Sequence, residues 1–478
     1  MQAVPILKTN THTWLLSRAG QAMFSQVLRR AARFVFLLLA AKKLGPEVFG
    51  SYVLFLAIME TLSLMTGEGL TDFVAREVAK NASATQSLFN RVVAIRWLLT
   101  GIFSPVAVVT LYLLHYPPQL LWCATLMLTI LFSRGPFAAA QGLFRSANRM
   151  GLLLWLEGTQ AGVLLAFGTY GLLHAPTLRT VVLAESGAAL AVAVVATLLV
   201  KATAGNGSAR IAWRTLWKAA AIFNVFPLIT NIYDRVDVVL LSVIAGTAAA
   251  GFYALPYRVL TTLQIIPFGL MAVVLPVLAA QMHLSTDKQF CLRMATILGA
   301  LSMCAALVVS LLAKPLVQII LGGIYIDSAK ILQVVIWAAI PMFINYGLNT
   351  FLLARDSERV FLITNSVCAI ANIALNLVLI PRYGYFAAAA VTIATELLLL
   401  VQNLTIIWKR FAFLAVPQRL WITTGVLLFL VAVAQVAGRH VSPLLVAAPA
   451  CLVFALVLYL DGSLREIRES MGPVLRSA

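Results

Sequence analysis

Fourteen apolar stretches, each long enough to cross a bilayer, follow one another along this chain, and no other feature constrains its fold as much. A helix needs about 20 apolar residues to span the hydrocarbon core. The candidate spans are 20–41, 49–71, 92–114, 119–142, 150–173, 178–200, 219–245, 250–278, 293–313, 329–353, 359–380, 385–408, 419–437 and 444–460. They are continuous apolar runs, not alternating segments of about ten residues, so they predict helices and exclude a barrel. Only 11% of the residues are charged, against about 25% in a soluble domain. The expected fold class is an all-α integral membrane protein with about 14 transmembrane helices.

The chain carries a net charge of +18. In a soluble protein this balance would suggest nucleic acid. Here the basic residues flank apolar spans, which reads as topology and contact with anionic lipid. The bilayer is therefore an expected partner, and nucleic acid is not. With the N-terminus placed in the cytoplasm, inner segments hold 21 Lys and Arg and outer segments hold seven. Both termini are then cytoplasmic. The N-terminus lacks an apolar stretch followed by a cleavage site before Ser17, so no cleaved signal peptide is expected. The segment AKPLVQIILGGIYIDSAK is long enough to hold a short interfacial helix.

Weak internal symmetry divides the chain. LGPEVFGSY and AGTAAAGFY share Gly45, Gly50 and Tyr52 against Gly246, Gly251 and Tyr253. LFRSANR matches LARDSER at both arginines, and Glu185 matches Glu396. Three matches in the same order predict two six-helix bundles related by an internal repeat. The expected organisation is an N-terminal bundle over 1–200, a basic cytoplasmic linker over 201–218, a second bundle over 219–410, and two additional helices with a cytoplasmic tail over 411–478. Pro227, Pro256, Pro267, Gly269, Pro276, Pro341 and Gly347 lie inside spans and suggest kinks.

Five cysteines and five histidines are scattered without ligand spacing. No metal site, cofactor or catalytic residue is expected. Seven arginines remain inside spans once the flanking ones are assigned: Arg29, Arg30, Arg33, Arg96, Arg134, Arg235 and Arg258. Arg96 sits about one turn inside the expected third span and can snorkel to the surface. Arg29, Arg30 and Arg33 cover one broad side of the first span, which cannot face lipid cheaply. Folding neighbouring spans into hairpins places Arg33 level with Glu60, Arg134 with Glu157 and Arg258 near Asp237. Each could be a buried ion pair that fixes register. Glu185 and Glu396, at repeat-equivalent positions, suit helix–helix hydrogen bonding or ion coupling. Asn224, Asn231, Asn345, Asn349, Asn372 and Asn376 suit either sugar hydroxyls or neighbouring helices. Three arginines on the first span still outnumber the single acid at their depth.

LLLAAKKLGPEVFGSYVL and GEGLTDFVAREVAK, with Gly69, Arg76 and Glu77, resemble the multidrug/oligosaccharidyl-lipid/polysaccharide (MOP) exporter superfamily. CAIANIALNLVLIPRYGYFAAAAVTIATE is similar to its polysaccharide transporter branch through Asn372, Asn376, Pro381, Gly384, Thr392 and Glu396. Ala387 stands where that branch usually carries Gly. The resemblance covers about residues 17–410. It implies a flippase of O-antigen type in a bacterial inner membrane, moving a polyprenyl-diphosphate-linked oligosaccharide outward for O-antigen, capsule or exopolysaccharide synthesis. A polysaccharide polymerase and glycosyltransferases of the same route are further expected partners.

A diphosphate explains the excess positive charge, because arginine offers a planar donor fork and stays charged. Arg29, Arg30, Arg33, Arg134 and Arg258 are thus the expected cationic cavity. Glu60, Glu157, Asp237, Glu185 and Glu396 are candidate pairing or coupling acids. The alternatives are a peptidoglycan lipid-precursor flippase or a cation-coupled drug exporter of the same superfamily. A membrane polymerase or ligase would need clustered acids or histidines on a sizeable loop; a non-transporting scaffold is a further alternative.

Overall fold

The computed structural model describes residues 18–80, 85–113, 115–116, 118–147, 149–203, 213–280, 284–355, 357–437 and 443–460. The N-terminal segment, most of the basic linker and the C-terminal tail lie outside the described residues. The signal-peptide and tail expectations fall there.

Among the described residues the regular structure is helical throughout. The helices are α1 (Arg18–Met65), α2 (Leu70–Lys80), α3 (Thr85–Leu113), α4 (Pro118–Ser146), α5 (Met150–His174), α6 (Leu178–Thr203), α7 (Trp213–Ala245), α8 (Thr247–Leu263), α9 (Ile265–Ala280), α10 (Leu284–Leu321), α11 (Ile326–Val335), α12 (Ala339–Ala354), α13 (Glu358–Tyr383), α14 (Tyr385–Phe411), α15 (Gln418–Ala437) and α16 (Pro443–Leu460). Each of the fourteen expected spans falls on helix. The first two share α1, which bends at Gly45 (φ +75°) beside Pro46. Proline removes a backbone donor and clashes with the preceding turn, and glycine tolerates the positive φ, so the pair turns the chain without a loop. The expected span 250–278 is α8 and α9, broken at Gln264.

Two short elements differ from the reading of the sequence. Leu70–Lys80 forms its own helix, because polar residues there follow a turn and not the end of a span. The AKPLVQII segment adds no separate interfacial helix. Instead α10 continues to Leu321, a 3₁₀ turn covers Gly323–Tyr325, and α11 begins at Ile326.

The described residues up to Gly251 form one compact unit, and those from Phe252 onward form a second. This division falls beyond the expected linker because α7 packs on α1 and α2 and so joins the first unit. Within that unit α1 also lies against α5, and α4 and α6 lie side by side. Its core at one end joins Phe73 and Val74 of α2, Val92 of α3, Leu143 of α4, Val192 of α6 and Leu216 of α7. A Cβ on Gly50 would lie 1.7 Å from the Thr247 carbonyl oxygen, and one on Gly251 would lie 2.1 Å from that of Pro46. The contact is reciprocal, since Pro46 precedes Gly50 by four residues as Thr247 precedes Gly251.

In the second unit α13 packs on α14, α12 packs on α10 and α14, and the last two helices lie against α10. The outward faces carry exposed apolar side chains such as Trp155, Phe167, Leu198, Ile363 and Ile370. Exposed apolar area on this scale suits lipid and not water.

Candidate functional site

The site begins with where the buried charges go. In the first unit four glutamates at membrane depth each hold an arginine. Arg29 Nε lies 2.9 Å from Glu157, Arg33 Nη2 3.3 Å from Glu185, Arg134 Nη1 3.4 Å from Glu68, and Arg235 Nε 2.7 Å from Glu60. These partners differ from the hairpin expectation. Arg33 pairs with Glu185 and not Glu60, and Arg134 with Glu68 and not Glu157. Depth along a hairpin does not choose a partner; the helix faces that meet do. The first leg of α1 turns its arginine face toward α5 and α6, which carry Glu157 and Glu185.

The acids are further fixed by neutral donors. Tyr52 Oη donates to Glu185, and Gln141 Nε2 donates to Glu157 at 2.7 Å. Glu157 and Glu185 are nearly fully buried. In an apolar interior such carboxylates persist only with partners of this kind.

A cavity of about 320 Å³ opens among α1 to α7. Five arginines line it, namely Arg29, Arg33, Arg96, Arg134 and Arg145, and Glu68 is the one acid in its lining. Ser133, Gln141, Gln160 and Thr71 add neutral polar groups. The helical period places Arg29 and Arg33 together, four residues apart. Arg30, rotated by about 100° from Arg29, is exposed and does not line the cavity. Arg258 is half-buried on α8 in the second unit, and Asp237 is buried on α7.

Arg96 departs most from the sequence reading. It does not snorkel. Its side chain is 1% exposed, and Nη1 donates to the Gly67 carbonyl at 3.1 Å. The helix that carries it starts at Thr85, so Arg96 lies three turns inside and not one. Gly67, with φ +95°, makes the turn that presents this carbonyl. The same turn is held by Asn224 of α7, whose Oδ1 accepts from the Gly69 N–H at 2.7 Å.

In the second unit, Glu396 accepts from Asn345 Nδ2 at 3.1 Å. Asn403 donates to both Asn345 and Asn349, and Asn376 donates to Asn372. Asn231 accepts from Thr61 in the first unit. These asparagines bond helices and backbone to one another. Repeat-equivalent tyrosines behave alike: Tyr52 reaches Glu185 on α6, and Tyr253 meets Thr392 on α14, one turn before Glu396. Among the described residues no cluster of three or more His, Cys, Asp or Glu is assembled to hold a metal.

Residues 16–282 match the family described as polysaccharide biosynthesis protein. No curated protein sequence matches the chain. Among solved structures it is similar to the lipid II flippase MurJ in an inward closed conformation, at 13% identity and a TM-score of 0.71, covering 92% of this chain and 99% of that one. It is also similar to an inward-facing multidrug resistance MATE transporter of the MOP superfamily, at 13% identity and a TM-score of 0.67, covering 81% and 94%. A MOP superfamily transporter from Pyrococcus furiosus, described by the reverse polarity of its binding pocket, aligns at 13% identity and a TM-score of 0.60 over 85% and 99%. At such identities the likeness concerns the fold. With the family match spanning more than half of its length, the chain belongs to the polysaccharide biosynthesis protein family and carries the all-helical fold of the MOP superfamily transporters.

Proposed function

We propose that the protein is a flippase that moves a polyprenyl-diphosphate-linked oligosaccharide from the cytoplasmic to the outer leaflet of a bacterial inner membrane, for cell-surface polysaccharide synthesis. The observation that carries this reading is the cavity lining, with five arginines against one glutamate. A diphosphate head group needs a polar, cationic path through hydrocarbon, and guanidinium groups match phosphate oxygens bidentately. Arg29, Arg33 and Arg134 serve as its donors. The substrate crosses by alternating access, with both chain termini in the cytoplasm and the sugar assembled and consumed by glycosyltransferases and a polymerase.

A peptidoglycan lipid precursor is the second reading, favoured by the fold shared with a lipid II flippase. It carries the same diphosphate. A cationic drug suits this lining poorly, because like charges in a low-dielectric cavity repel. The test is translocation in proteoliposomes with three cargoes: a diphosphate-linked oligosaccharide, lipid II and a cationic dye. Flipping of the oligosaccharide lipid is expected. Transport of the dye alone would reject the reading, and transport of lipid II alone would move it to the second.

A further inference from the structure

Arg96 carries donors that the ion pairs leave unused. Its Nε and Nη2 have no hydrogen-bond partner among the described residues, although the side chain is 1% exposed and lines the cavity. A guanidinium has five N–H donors, and leaving them unmet in a buried place is costly. Fold register does not require it, because one Nη1 contact to the Gly67 carbonyl is the only bond it makes with the turn.

The same turn supplies the cavity's one lining acid. Glu68 accepts from Ser63 Oγ and lies 3.4 Å from Arg134 Nη1, and its side chain is 45% exposed. It is also within electrostatic reach of Arg96. A charge-assisted N–H···O bond is typically about 2.7–2.9 Å, so the contact with Arg134 is loose. Glu68 therefore stands between two arginines and satisfies neither fully.

We propose that Arg96 and Arg134 form an oxyanion subsite inside the first unit, and that Glu68 is its internal counter-anion, displaced when a phosphoryl oxygen binds. The identity of the ligand as a lipid head group rests on the flippase reading; the existence of the subsite does not. In the resting protein the carboxylate spares the two arginines an empty cavity. On binding, a phosphate with more charge and more acceptor atoms replaces it and reaches the free Nε and Nη2 donors of Arg96.

The test is calorimetric titration of the purified full-length protein in detergent with two probes, inorganic pyrophosphate and farnesyl diphosphate. Glu68→Gln removes the competing charge and should tighten binding by about tenfold. Glu47→Gln changes net charge equally at an exposed position by the Gly45 bend, and should leave affinity unchanged. In the Glu68→Gln background, Arg96→Gln should weaken binding by at least about tenfold, and Arg96→Lys should fall between. Size-exclusion profiles and thermal unfolding identify variants that fold, and Arg96→Lys keeps the test decisive should Arg96→Gln fail to.

Unchanged or weaker binding by Glu68→Gln overturns the counter-anion role. Equal tightening by Glu47→Gln does so too. Folded Arg96 variants that bind like their parent overturn the subsite. Tightening with farnesyl diphosphate but not pyrophosphate supports the proposal and assigns the site to a lipid head group. Tightening with both probes by a protein that flips no lipid would leave the subsite standing and reject the flippase reading. Flipping with unaltered affinities would do the reverse.

Discussion

Four arginines of the first unit meet an acid, but buried Arg96 bonds only the Gly67 carbonyl among the described residues, so the acids do not explain the arginines. Arg33 and Glu185 are a pair held also by Tyr52, and Arg33 keeps one side on the cavity. Removing a single partner strands the other charge, whereas removing both removes the penalty. Arg33→Ala should therefore lower the melting temperature more than Arg33→Ala with Glu185→Gln. If Arg33 also holds the diphosphate, the stable double variant should still lose about tenfold or more in flipping rate. Normal flipping by that double variant would make the pair purely structural. That Arg29 and Arg33 need a polar surrounding was legible in the sequence, because charges in an apolar run cannot face lipid cheaply; the count of one acid at their depth missed Glu157 and Glu185 on other helices. The partners were not, because pairing depends on which helix faces meet, and depth along a hairpin carries no rotational information. Arg96 was misread for a simpler reason. Polar residues of Thr85–Arg91 belong to the helix, so the apolar run understates how deep Arg96 lies.

At the scale of elements, hydrophobic length located the spans, and their breaks followed local chemistry. Gly45 and Gly50 lie five residues apart and do different work. A Cβ at Gly45 meets nothing within 4 Å, so Gly45→Ala should cost only the strain of its backbone (φ +75°, ψ 168°), a conformation almost confined to glycine, about 1–3 kcal/mol, read as a modest fall in melting temperature. A Cβ at Gly50 would lie 1.7 Å from the Thr247 carbonyl oxygen, so Gly50→Ala must push α1 from the start of α8. It should lower the melting temperature well beyond Gly45→Ala. Equal effects at the two sites would contradict the close approach. Helix α2 escaped the reading of the sequence because eleven residues of mixed polarity are too short and too polar to register as a span. Its placement depends on packing against α4 and α7, which only the folded unit provides.

At the scale of the molecule, the distribution of basic residues predicts the orientation of the chain. Reporter fusions after Gly207 should read cytoplasmic, and fusions after Thr247 should read on the opposite side. Reversal at both points would invert the topology. The fourteen spans and the duplicated motifs were legible because bilayer thickness and repetition both write long periods into a sequence. The point where the compact units part was not, since α7 follows the linker in sequence but packs with the helices before it. The central claim is that a diphosphate lipid crosses the bilayer by way of the arginine-lined cavity. It is tested most directly by the flipping rate of a fluorescent polyprenyl-diphosphate oligosaccharide in proteoliposomes, comparing the wild type with a folded Arg29→Gln/Arg33→Gln variant. The account predicts translocation by the wild type and a loss of at least about tenfold in the variant. No translocation by the wild type, or an undiminished rate in the variant, would contradict it.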